Sequence, residues 1–574
     1  MKMQKNIRAG INAILICTLA TIILFGCSAQ QKTVRRQANH PIHHIIHMGQ
    51  SLGAGDQSLP IVTDIATGFG NLRFAMGTHT WTGNIFPSQP ELRDAGNFLF
   101  VPLNAVQRGG EGETIANGMC DHLSETINSM HRKQYRFLFS YAGQGGRYLR
   151  ELNKRHDDAK DERAGTRRSG GGYYKTSIDD VRRAKKTADS LGMDYSVFGI
   201  TWMQGEASAG GRLNRWDPAL SDVELIQQYK SDLVELKNDY QSDISEITGQ
   251  RNEIPFFTYQ TAGHLAGMAQ LQASNEVKDV FLVAPTYMLP NAENGSYYIK
   301  GKHLHGDGIH LTADGERWLG EQFGKVMRKV IIEGKDWKPL QPLEAWIDKK
   351  DNSVYVHFIV PEPPLVIDTV FLPRQDMGLG FTIYDGANKK YAIQKVQLAG
   401  SDMLKFSMAS PLPAQSLYIN YGLQSKVADL PGTIQSVVTG VKNKDGHDAI
   451  DIVVHGDLLS SVATLVDEGV FYLSNAVEDQ EAFTNLIIRD VFINDEGNTV
   501  FRGELKDLRN NISFQPGQTC YTSRRYSYGN IRDADEERST FYFKDTTYGR
   551  RYGQRYPLHN WLVAFDNFAI GPAK

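Results

Sequence analysis

The sequence predicts a mixed α/β protein in which a three-layer domain on a parallel sheet precedes a β-rich, sandwich-like region. Between about residues 40 and 335, short apolar runs alternate with stretches of helical periodicity, the pattern of parallel strands joined by crossover helices. Beyond about residue 340 the helical periodicity largely disappears, and short runs are separated by Gly, Asp, Asn and Pro, as in antiparallel sandwiches.

The composition indicates folded domains. A chain of 574 residues is long enough for two or three of them. With 41% hydrophobic and 22% charged residues, it has the make-up of globular domains rather than of a disordered or membrane-embedded chain. The formal net charge of −3 gives no electrostatic reason to expect nucleic acid as a partner.

The N-terminus has the features of a targeting segment. Basic Lys2, Lys5 and Arg8 precede an apolar run over residues 13–25, which is short for a membrane span, and Cys27 follows closely. The stretch Leu24-Phe25-Gly26-Cys27 resembles the bacterial lipoprotein signal, in which the cysteine becomes lipidated. The alternatives are an ordinary signal peptide cut nearby and an uncleaved anchor.

The predicted order is therefore a signal peptide at 1–27, a polar tether at 28–40, a first domain at 41–338 and a β-rich region at 339–574. Within the last region, residues 425–518 are predicted to form an inserted β-unit. Each reading of the N-terminus places the domains outside the cytoplasm. The lipoprotein reading anchors them through lipid to a membrane of the bacterial cell envelope, periplasmic or at the cell surface.

Five strands and four helices are predicted in the first domain. The strands are apolar runs rich in β-branched or aromatic residues, as expected for strands buried on both faces. They cover residues 42–48, 136–141, 195–203, 254–259 and 280–284. The helices cover residues 113–131, 177–191, 223–240 and 313–332, and the last has the clearest apolar face. In the β-rich region, strand-like runs cover residues 354–360, 367–372, 392–398 and 417–421, which predicts one sandwich or two.

Cysteine use predicts neither a zinc site nor an obvious disulfide. Cys17 lies in the apolar N-terminal run and Cys27 is the predicted lipid site. Cys120 and Cys520 remain, and they fall in different predicted domains, so a disulfide between them is not the default. No Cys-x-x-Cys spacing occurs.

A serine on a tight turn follows the first predicted strand, in Gly49-Gln50-Ser51-Leu52-Gly53. In open α/β sheets the functional crevice lies at the carboxyl ends of the strands. The flanking glycines allow a tight backbone and close approach of a ligand. Taken alone, such a serine is more often a helix N-cap.

Asp307 and His310 form the second element, just before the last predicted helix. Their spacing of three allows both side chains to project to one side. A serine nucleophile needs a histidine to accept its proton and a carboxylate to orient that histidine. Alone, Asp307 reads as a helix cap and His310 as a structural histidine, but together with Ser51 they predict a serine hydrolase.

Two further blocks follow predicted strands. Trp202-Met203-Gln204-Gly205-Glu206 ends the third strand, where the Gln204 amide can donate to a developing oxyanion. The glycine-rich loop Ala142-Gly143-Gln144-Gly145-Gly146-Arg147 follows the second strand and can supply a backbone N–H. It lacks the Lys-Ser/Thr pair of a phosphate loop. Taken alone, the first block is better explained as a plain strand-to-loop exit with Trp202 in the core, and the glycine-rich loop is weak evidence.

The four blocks in this order resemble the SGNH hydrolase superfamily, particularly its sialate O-acetylesterase-like and acetylxylan-esterase-like carbohydrate esterases. The likeness spans roughly residues 42–333. The matching stretches are Gly49-Gln50-Ser51, Gly145-Gly146, Trp202-Met203-Gln204-Gly205-Glu206 and Asp307-Gly308-Ile309-His310. This resemblance implies a flavodoxin-like three-layer domain whose reaction requires no metal or organic cofactor.

The resemblance also implies the role of each residue. Ser51 is expected to be the nucleophile, His310 the general base and Asp307 its orienting carboxylate. The expected oxyanion hole consists of the Ser51 backbone N–H, an N–H of Gly145 or Gly146, and the Gln204 side chain. Gln50 and Glu206 are expected to be supporting residues.

The chain departs from the family pattern at two positions. Leu52 replaces the Asn that often follows the nucleophile, and Arg147 follows the glycine pair where Ser or Thr is usual. The second departure leaves open which of the two glycines donates.

Two other groups of residues have both a functional and a structural interpretation. His43, His44 and His47 on the first strand, and His303 and His305 before the Asp-x-x-His block, fit structural roles better than metal binding. An aromatic and basic stretch near the C-terminus suits sugar recognition or a sandwich core equally. It comprises Tyr521, Arg524, Arg525, Tyr526, Tyr528, Arg550, Arg551, Tyr552, Arg555, Tyr556 and Trp561.

The sequence thus predicts a carbohydrate O-acetylesterase that acts through an acyl-serine intermediate on acetylated sialic acid or an acetylated polysaccharide. A same-fold esterase for lipid or aryl esters is one alternative, although no long apolar stretch lies near the motifs. A non-catalytic, surface glycan-binding lipoprotein is the other, although all three triad residues are present.

Overall fold

The computed structural model describes most of the chain. It covers residues 41–81, 95–131, 135–157, 171–208, 220–261, 265–292, 296–299, 302–305, 309–369, 371–372, 377–413, 415–423, 431–443, 446–458, 472–474, 485–504, 514–523, 529–544 and 552–572. The predicted signal peptide with Cys27, the tether and Asp307 lie outside these residues. Within them, no helix combines the length and the apolar content needed to cross a membrane.

A seven-stranded sheet forms the centre of the first part, in the order β3-β2-β4-β1-β5-β6-β7. Its strands are β1 (Ile42–Gly49), β2 (Leu72–Phe74), β3 (Phe100–Pro102), β4 (Arg136–Tyr141), β5 (Tyr195–Met203), β6 (Phe256–Gln260) and β7 (Val280–Pro285). Neighbouring strands run parallel except β2 and β3, which are antiparallel. All five predicted strands are present, and the predicted mixed α/β architecture on a mostly parallel sheet is confirmed.

Helices cover both faces of this sheet. They are α1 (Ile115–His131), the single-turn α2 (Leu149–Leu152), α3 (Tyr173–Ser190), α4 (Asp222–Thr248), α5 (Leu265–Glu276) and α6 (Ala313–Met327). Apolar residues of α1 and α6 pack on one face, and those of α3, α4 and α5 pack on the other. The arrangement has three layers because strands buried on both faces need cover on each.

The four predicted helices are present with shifted ends: α3 begins four residues earlier than predicted, at Tyr173, and α4 continues eight residues further, to Thr248. The predicted helix 313–332 ends at Met327 and continues as a π-helical turn over Arg328–Ile332. Helix α5 was not predicted, because its apolar residues occur around the whole helix and nearly all of it is buried.

Helices α1 and α6 approach each other closely at glycines. A Cβ on Gly320 would lie 2.2 Å from the Ile115 carbonyl oxygen, and one on Gly118 would lie 2.0 Å from the Arg317 carbonyl oxygen. Only glycine permits this spacing of the two backbones. The contact fixes α6, and therefore the segment just before it that carries His310, against the sheet.

The β-rich region contains a two-sheet sandwich with one shared apolar core. One sheet has the order β10-β11-β16-β15 and the other β14-β13-β17-β27. Their strands are β10 (Gln341–Asp348), β11 (Ser353–Ile359), β13 (Phe381–Asp385), β14 (Lys390–Tyr391), β15 (Ile393–Leu398), β16 (Met403–Met408), β17 (Leu417–Tyr421) and β27 (Phe565–Ile570). The run predicted at 367–372 is not a strand of this sandwich; the strand there is β12 (Leu365–Ile367).

A closed six-stranded barrel lies between β17 and β27 in sequence, where the inserted β-unit 425–518 is predicted. Its strands are β18 (Pro431–Lys442), β19 (Asp448–Val454), β20 (Tyr472–Ser474), β21 (Asn485–Ile493), β22 (Thr499–Glu504) and β23 (Thr519–Ser523). The remaining strands form pairs: β8 (Ser296–Ile299) with β9 (Lys302–His305), β12 with β24 (Ile531–Asp533), and β25 (Arg538–Tyr542) with β26 (Arg555–Pro557).

The C-terminal segment returns to the α/β part. Phe543, Tyr556 and Trp561 belong to the same apolar core as Trp318 of α6. The fully buried Lys325 ammonium donates to Asp535 Oδ2 at 3.1 Å, to Asn560 Oδ1 at 2.6 Å and to the Leu558 carbonyl. The hydrophobic core therefore crosses the predicted domain boundary at residue 338. Cys120 and Cys520 are both buried free thiols.

Candidate active site

The turn that carries Ser51 begins where β1 ends. Gly49 has a φ of 152°, and a Cβ there would lie 2.0 Å from the Met203 carbonyl oxygen, so the position requires glycine. The Ser51 carbonyl accepts hydrogen bonds from the N–H groups of Ala54 at 3.1 Å and Asp56 at 3.0 Å. These bonds close the turn, and Ser51 is 8% exposed at its surface.

Tyr141, at the end of β4, stabilises this turn through a hydrogen bond. Its hydroxyl donates to the Gln50 carbonyl oxygen at 2.7 Å, directly before Ser51. Burial raises the pKa of the Tyr141 phenol well above its usual value, so the hydroxyl keeps its proton and remains a donor.

The Gln50 side chain links the first block to the block after β5. Its Oε1 accepts the Ala207 N–H at 3.0 Å, the Gly205 N–H at 3.4 Å and the Gln204 amide at 3.3 Å. Gln50 therefore joins the carboxyl ends of β1 and β5. The supporting role in catalysis stays a prediction.

The Gln204 amide is committed to the protein itself. This side chain is fully buried, and its Nε2 donates to the Arg147 carbonyl at 3.0 Å and to Ser208 Oγ at 2.9 Å as well as to Gln50. An amide has two N–H donors, and both already have acceptors here. The role of Gln204 as an oxyanion donor stays a prediction. Its contacts connect the loops that carry Gln50, Arg147 and Ser208.

The glycine-rich loop after β4 lies directly against Ser51. A Cβ on Gly145 would lie 3.3 Å from the Ser51 Cβ, and one on Gly143 would lie 2.1 Å from the Gly49 carbonyl oxygen. In the described part of the chain, the backbone N–H groups of Ser51, Gly145 and Gly146 have no protein acceptor. Unused N–H groups beside a serine hydroxyl are what an oxyanion hole requires.

His310 is held against the loop that follows Ser51. Its Nε2 lies 3.9 Å from Asp56 Oδ2, and the neighbouring Leu311 carbonyl accepts the Ser58 hydroxyl at 2.8 Å. The His310 carbonyl accepts the Ala292 N–H at 2.6 Å. The structure thus brings two of the three predicted triad residues to one end of the sheet, while Asp307 lies outside the described residues.

Buried carboxyl groups lie behind His310. Burial raises the pKa of Glu206, an effect opposed by a hydrogen bond from the Tyr259 hydroxyl and by the charge of His310. Burial also raises the pKa of Glu316 well above its usual value, reinforced by the nearby charges of Glu113 and Glu206. Glu206 lies close enough to His310 for the two charges to interact.

The two departures from the family pattern have visible consequences. Leu52 is 2% exposed and belongs to the core shared with α1 and α6. Arg147 is 7% exposed, and its Nε donates to the Tyr173 hydroxyl at 2.7 Å. Its buried Nη1 has no hydrogen-bond partner, and among the described carboxylates none forms an ion pair with it. Among the described residues, this buried guanidinium therefore has no carboxylate partner.

The strand histidines are structural. Burial lowers the pKa of His43 to about 4 and the pKa of His44 and His47 to about 3, so all three are neutral. Within the described ranges, no three His, Cys, Asp or Glu side chains are grouped as a metal site would need.

The C-terminal aromatic and basic stretch is only partly described. Tyr556 and Trp561 are core residues rather than surface residues. Arg555 lies over the ring of Tyr542, with 5.5 Å between the guanidinium carbon and the ring centroid, and Tyr552 is 58% exposed. For Tyr556 and Trp561 the structural interpretation therefore applies.

Sequence reasoning missed Tyr141 and Asp56. Tyr141 ends a predicted strand, directly before the glycine loop. A polar residue at the carboxyl end of a strand is the sequence signal that could have identified it. Asp56 lies five residues beyond Ser51, and only the folded loop brings it near His310.

Comparison with known proteins yields likenesses to solved structures only. No family model and no curated protein matches the chain. The chain is similar to XAC1771, a carbohydrate acetylesterase from Xanthomonas citri, with 13% identity over 66% of this chain and 75% of that one, and a TM-score of 0.39. It is similar to NanS with 14% identity over 52% of this chain and 99% of that one, and a TM-score of 0.35. It is also similar to Est24, a carbohydrate acetylesterase from Sinorhizobium meliloti, with 12% identity over 51% of this chain and 99% of that one, and a TM-score of 0.23. All three scores lie below 0.5, so any assignment of function depends on the geometry of the site.

Proposed function

We propose that this protein is a serine esterase that removes O-acetyl groups from a carbohydrate. One observation carries the proposal. Ser51 lies on a closed turn against Gly145, the backbone N–H groups of both have no acceptor among the described residues, and His310 lies against the same loop. A nucleophile and backbone donors at the carboxyl ends of the adjacent strands β1 and β4, together with a base from the segment before α6, form the minimal set for acyl transfer.

In the proposed reaction, His310 accepts the Ser51 proton as Oγ attacks the acetyl carbonyl carbon. The negative charge that develops on the carbonyl oxygen is stabilised by the N–H groups of Ser51 and Gly145. The tetrahedral intermediate collapses, the C–O bond to the sugar breaks, and His310 returns the proton to the leaving hydroxyl. Water then attacks the acetyl-serine in the same way and releases acetate. Asp307 is the proposed partner of His310 in both steps.

The carbohydrate substrate class is supported by the four sequence blocks that resemble carbohydrate esterases. The competing functions, a lipid or aryl esterase and a glycan-binding protein without activity, remain as outcomes of the experiment below.

The test is acetate release from a panel of acetylated glycans, with lipid and aryl esters included. Ser51→Ala is expected to lower kcat at least about 10³-fold, since removal of a nucleophile eliminates covalent catalysis. Ser129→Ala, an exposed serine on α1, is the matched control and should behave as wild type. Undiminished release by Ser51→Ala would refute the mechanism, and a wild type that binds glycans without releasing acetate would favour the binding function.

Arg147 further favours a substrate that carries a carboxylate. Its buried Nη1 has no hydrogen-bond partner among the described residues, and a guanidinium gains stability when an anion pairs with it, since charge-assisted hydrogen bonds are the stronger kind. We expect Arg147→Gln to lower kcat/KM about 10- to 100-fold for acetylated acidic sugars, with little change for neutral ones. The comparison needs one acidic and one neutral acetylated sugar; equal losses on both would show that Arg147 is structural only.

A further inference from the structure

A histidine–glutamate pair outside the proposed catalytic set binds the glycine-rich loop. His79 Nδ1 lies 2.7 Å from Glu111 Oε2, and His79 Nε2 lies 3.0 Å from the Gly143 carbonyl oxygen. The His79 ring also packs on the Tyr141 ring, with 4.7 Å between the centroids. His79 is 9% exposed, and neither it nor Glu111 takes part in the proposed chemistry.

Both ring nitrogens of His79 face acceptors. A carboxylate oxygen and a backbone carbonyl oxygen can only accept, so both nitrogens must donate for both bonds to form. The Glu111 carboxylate and the Gly143 carbonyl oxygen thus hold the His79 ring at its two nitrogens.

The bond from His79 fixes the peptide between Gly143 and Gln144 from one side. The Gln144 N–H at the other end of that peptide donates to the Gly49 carbonyl at 3.2 Å. A peptide group held at its C=O and its N–H cannot rotate, and Gly145 follows it directly. The position of the Gly145 N–H beside Ser51 therefore depends on the His79 bond.

Glu111 is itself tied to the loop that carries Ser51. The Gly112 N–H donates to the Gly55 carbonyl at 2.8 Å, and the Gln57 N–H donates to the Gly110 carbonyl at 2.9 Å. Asp56 and Glu111 form an antiparallel bridge. The pair therefore connects the two loops that must keep a fixed distance during catalysis, one with the nucleophile and one with the candidate oxyanion donor.

We propose that His79 and Glu111 are positioning residues that hold the Gly143–Gly145 loop, and with it an oxyanion donor, in register with Ser51. The proposal rests on the proposed esterase function. It predicts that loss of the pair weakens stabilisation of the tetrahedral state more than binding of the ester, because a donor displaced by a fraction of an ångström loses most of its effect on a developing charge.

The experiment compares full-length wild type with His79→Ala, His79→Gln and Glu111→Gln. The readouts are kcat and KM for p-nitrophenyl acetate, inhibition by phenylboronic acid as a tetrahedral mimic, and hydrogen–deuterium exchange of residues 142–148. The matched control is His357→Ala, which removes a histidine that lies 3.0 Å from Asp402 in the β-sandwich.

His79→Ala is expected to lower kcat and the affinity for phenylboronic acid about 10- to 100-fold, with KM within about threefold of wild type. Exchange over 142–148 should become faster. His79→Gln, whose amide can still donate to Gly143, should recover most of the loss, while Glu111→Gln should lie between the two and His357→Ala should match wild type.

Wild-type kcat and wild-type exchange in His79→Ala would overturn the proposal, and so would a His79→Gln variant as impaired as His79→Ala. If wild type hydrolyses no ester at all, the proposed function fails, but the exchange of residues 142–148 still decides whether the pair holds the loop.

Discussion

Gly145 is a position at which the candidate oxyanion hole can be tested while the Ser51 hydroxyl is kept. Its missing Cβ leaves 3.3 Å to the Ser51 Cβ, which is tighter than an ordinary van der Waals contact. A methyl group there has to push the glycine loop away from Ser51 by a few tenths of an ångström. Such a shift lowers the stability of the fold little, but it lowers the catalytic rate because the transition state needs its donor in a fixed position.

Gly145→Ala is therefore expected to lower kcat about tenfold or more, with the thermal midpoint of unfolding within a few degrees of wild type. Gly68→Ala is the matched control, because a Cβ at Gly68 meets nothing within 4 Å. Steady-state kinetics and thermal unfolding measure both effects. A wild-type kcat in Gly145→Ala would point to Gly146 as the donor.

At this scale the sequence identifies the residues but not their hydrogen bonds. Ser51, Gly145 and Gln50 lie where the strand ends place them, since strand ends can be read from local apolar runs. The Gln204 amide donates to three acceptors because the fold places Gln50, Arg147 and Ser208 around it. No local sequence pattern predicts this proximity.

At the scale of elements, an ion-pair cluster joins α1 and α6 to the C-terminal segment. Glu537 binds the Arg328 guanidinium through both oxygens at 2.8 Å, and its Oε1 lies 3.2 Å from His122 Nε2. Burial raises the pKa of Glu537, but the His122 hydrogen bond and the charges of His122, Arg328 and Lys325 together lower it from 4.5 to about 2.

A depressed carboxyl pKa stabilises the folded state at pH values above the unfolded pKa of about 4.5, and this contribution is lost as the pH falls through about 2. We therefore expect Glu537→Gln to lower the free energy of unfolding by up to about 3 kcal/mol at pH 7. The difference from wild type should shrink between pH 4.5 and pH 2. Urea unfolding at pH 7, 5 and 3 measures it, with the exposed neighbour in Glu536→Gln as control. A difference that does not change with pH would show that packing, not charge, is responsible.

The elements themselves were mostly predictable. The five predicted strands of the sheet follow from apolar runs, and α6 from its periodic apolar face. Helix α5 has no polar face, and β2 and β3 are only three residues long, so periodicity had nothing to detect in them.

At the scale of the whole molecule, the C-terminal residues Phe543, Tyr556 and Trp561 belong to the α/β core, whereas the barrel is an insertion in the sandwich. The chain leaves and re-enters the sandwich at neighbouring points, because the Ile531 N–H donates to the Tyr421 hydroxyl at 3.1 Å. By contrast, the segment after Ile531 fills the core around Trp318 and surrounds the buried Lys325 ammonium.

Replacement of residues 424–528 by a short Gly-Ser linker is accordingly expected to leave kcat within about threefold of wild type and unfolding cooperative. A chain that ends at residue 530 should be insoluble or lack a cooperative transition, because it exposes the apolar core and leaves Lys325 buried without partners. Expression, thermal unfolding and acetate release compare the two forms. A soluble, active chain ending at 530 would contradict the integration of the C-terminal segment.

The sequence by itself determined the layered α/β part, the change to β structure near residue 340, and the strand ends that carry Ser51, Gly145 and Gln204. Each of these follows from local hydrophobic periodicity and from glycines at turns, which a linear reading can detect. Only the tertiary structure decided that His310 lies beside Asp56, that His79 binds the glycine loop and that the last forty residues complete the core around α6. These depend on contacts between residues that are far apart in sequence, 64 positions for His79 and Gly143 and 254 for Asp56 and His310. Such contacts produce no periodic pattern in the sequence.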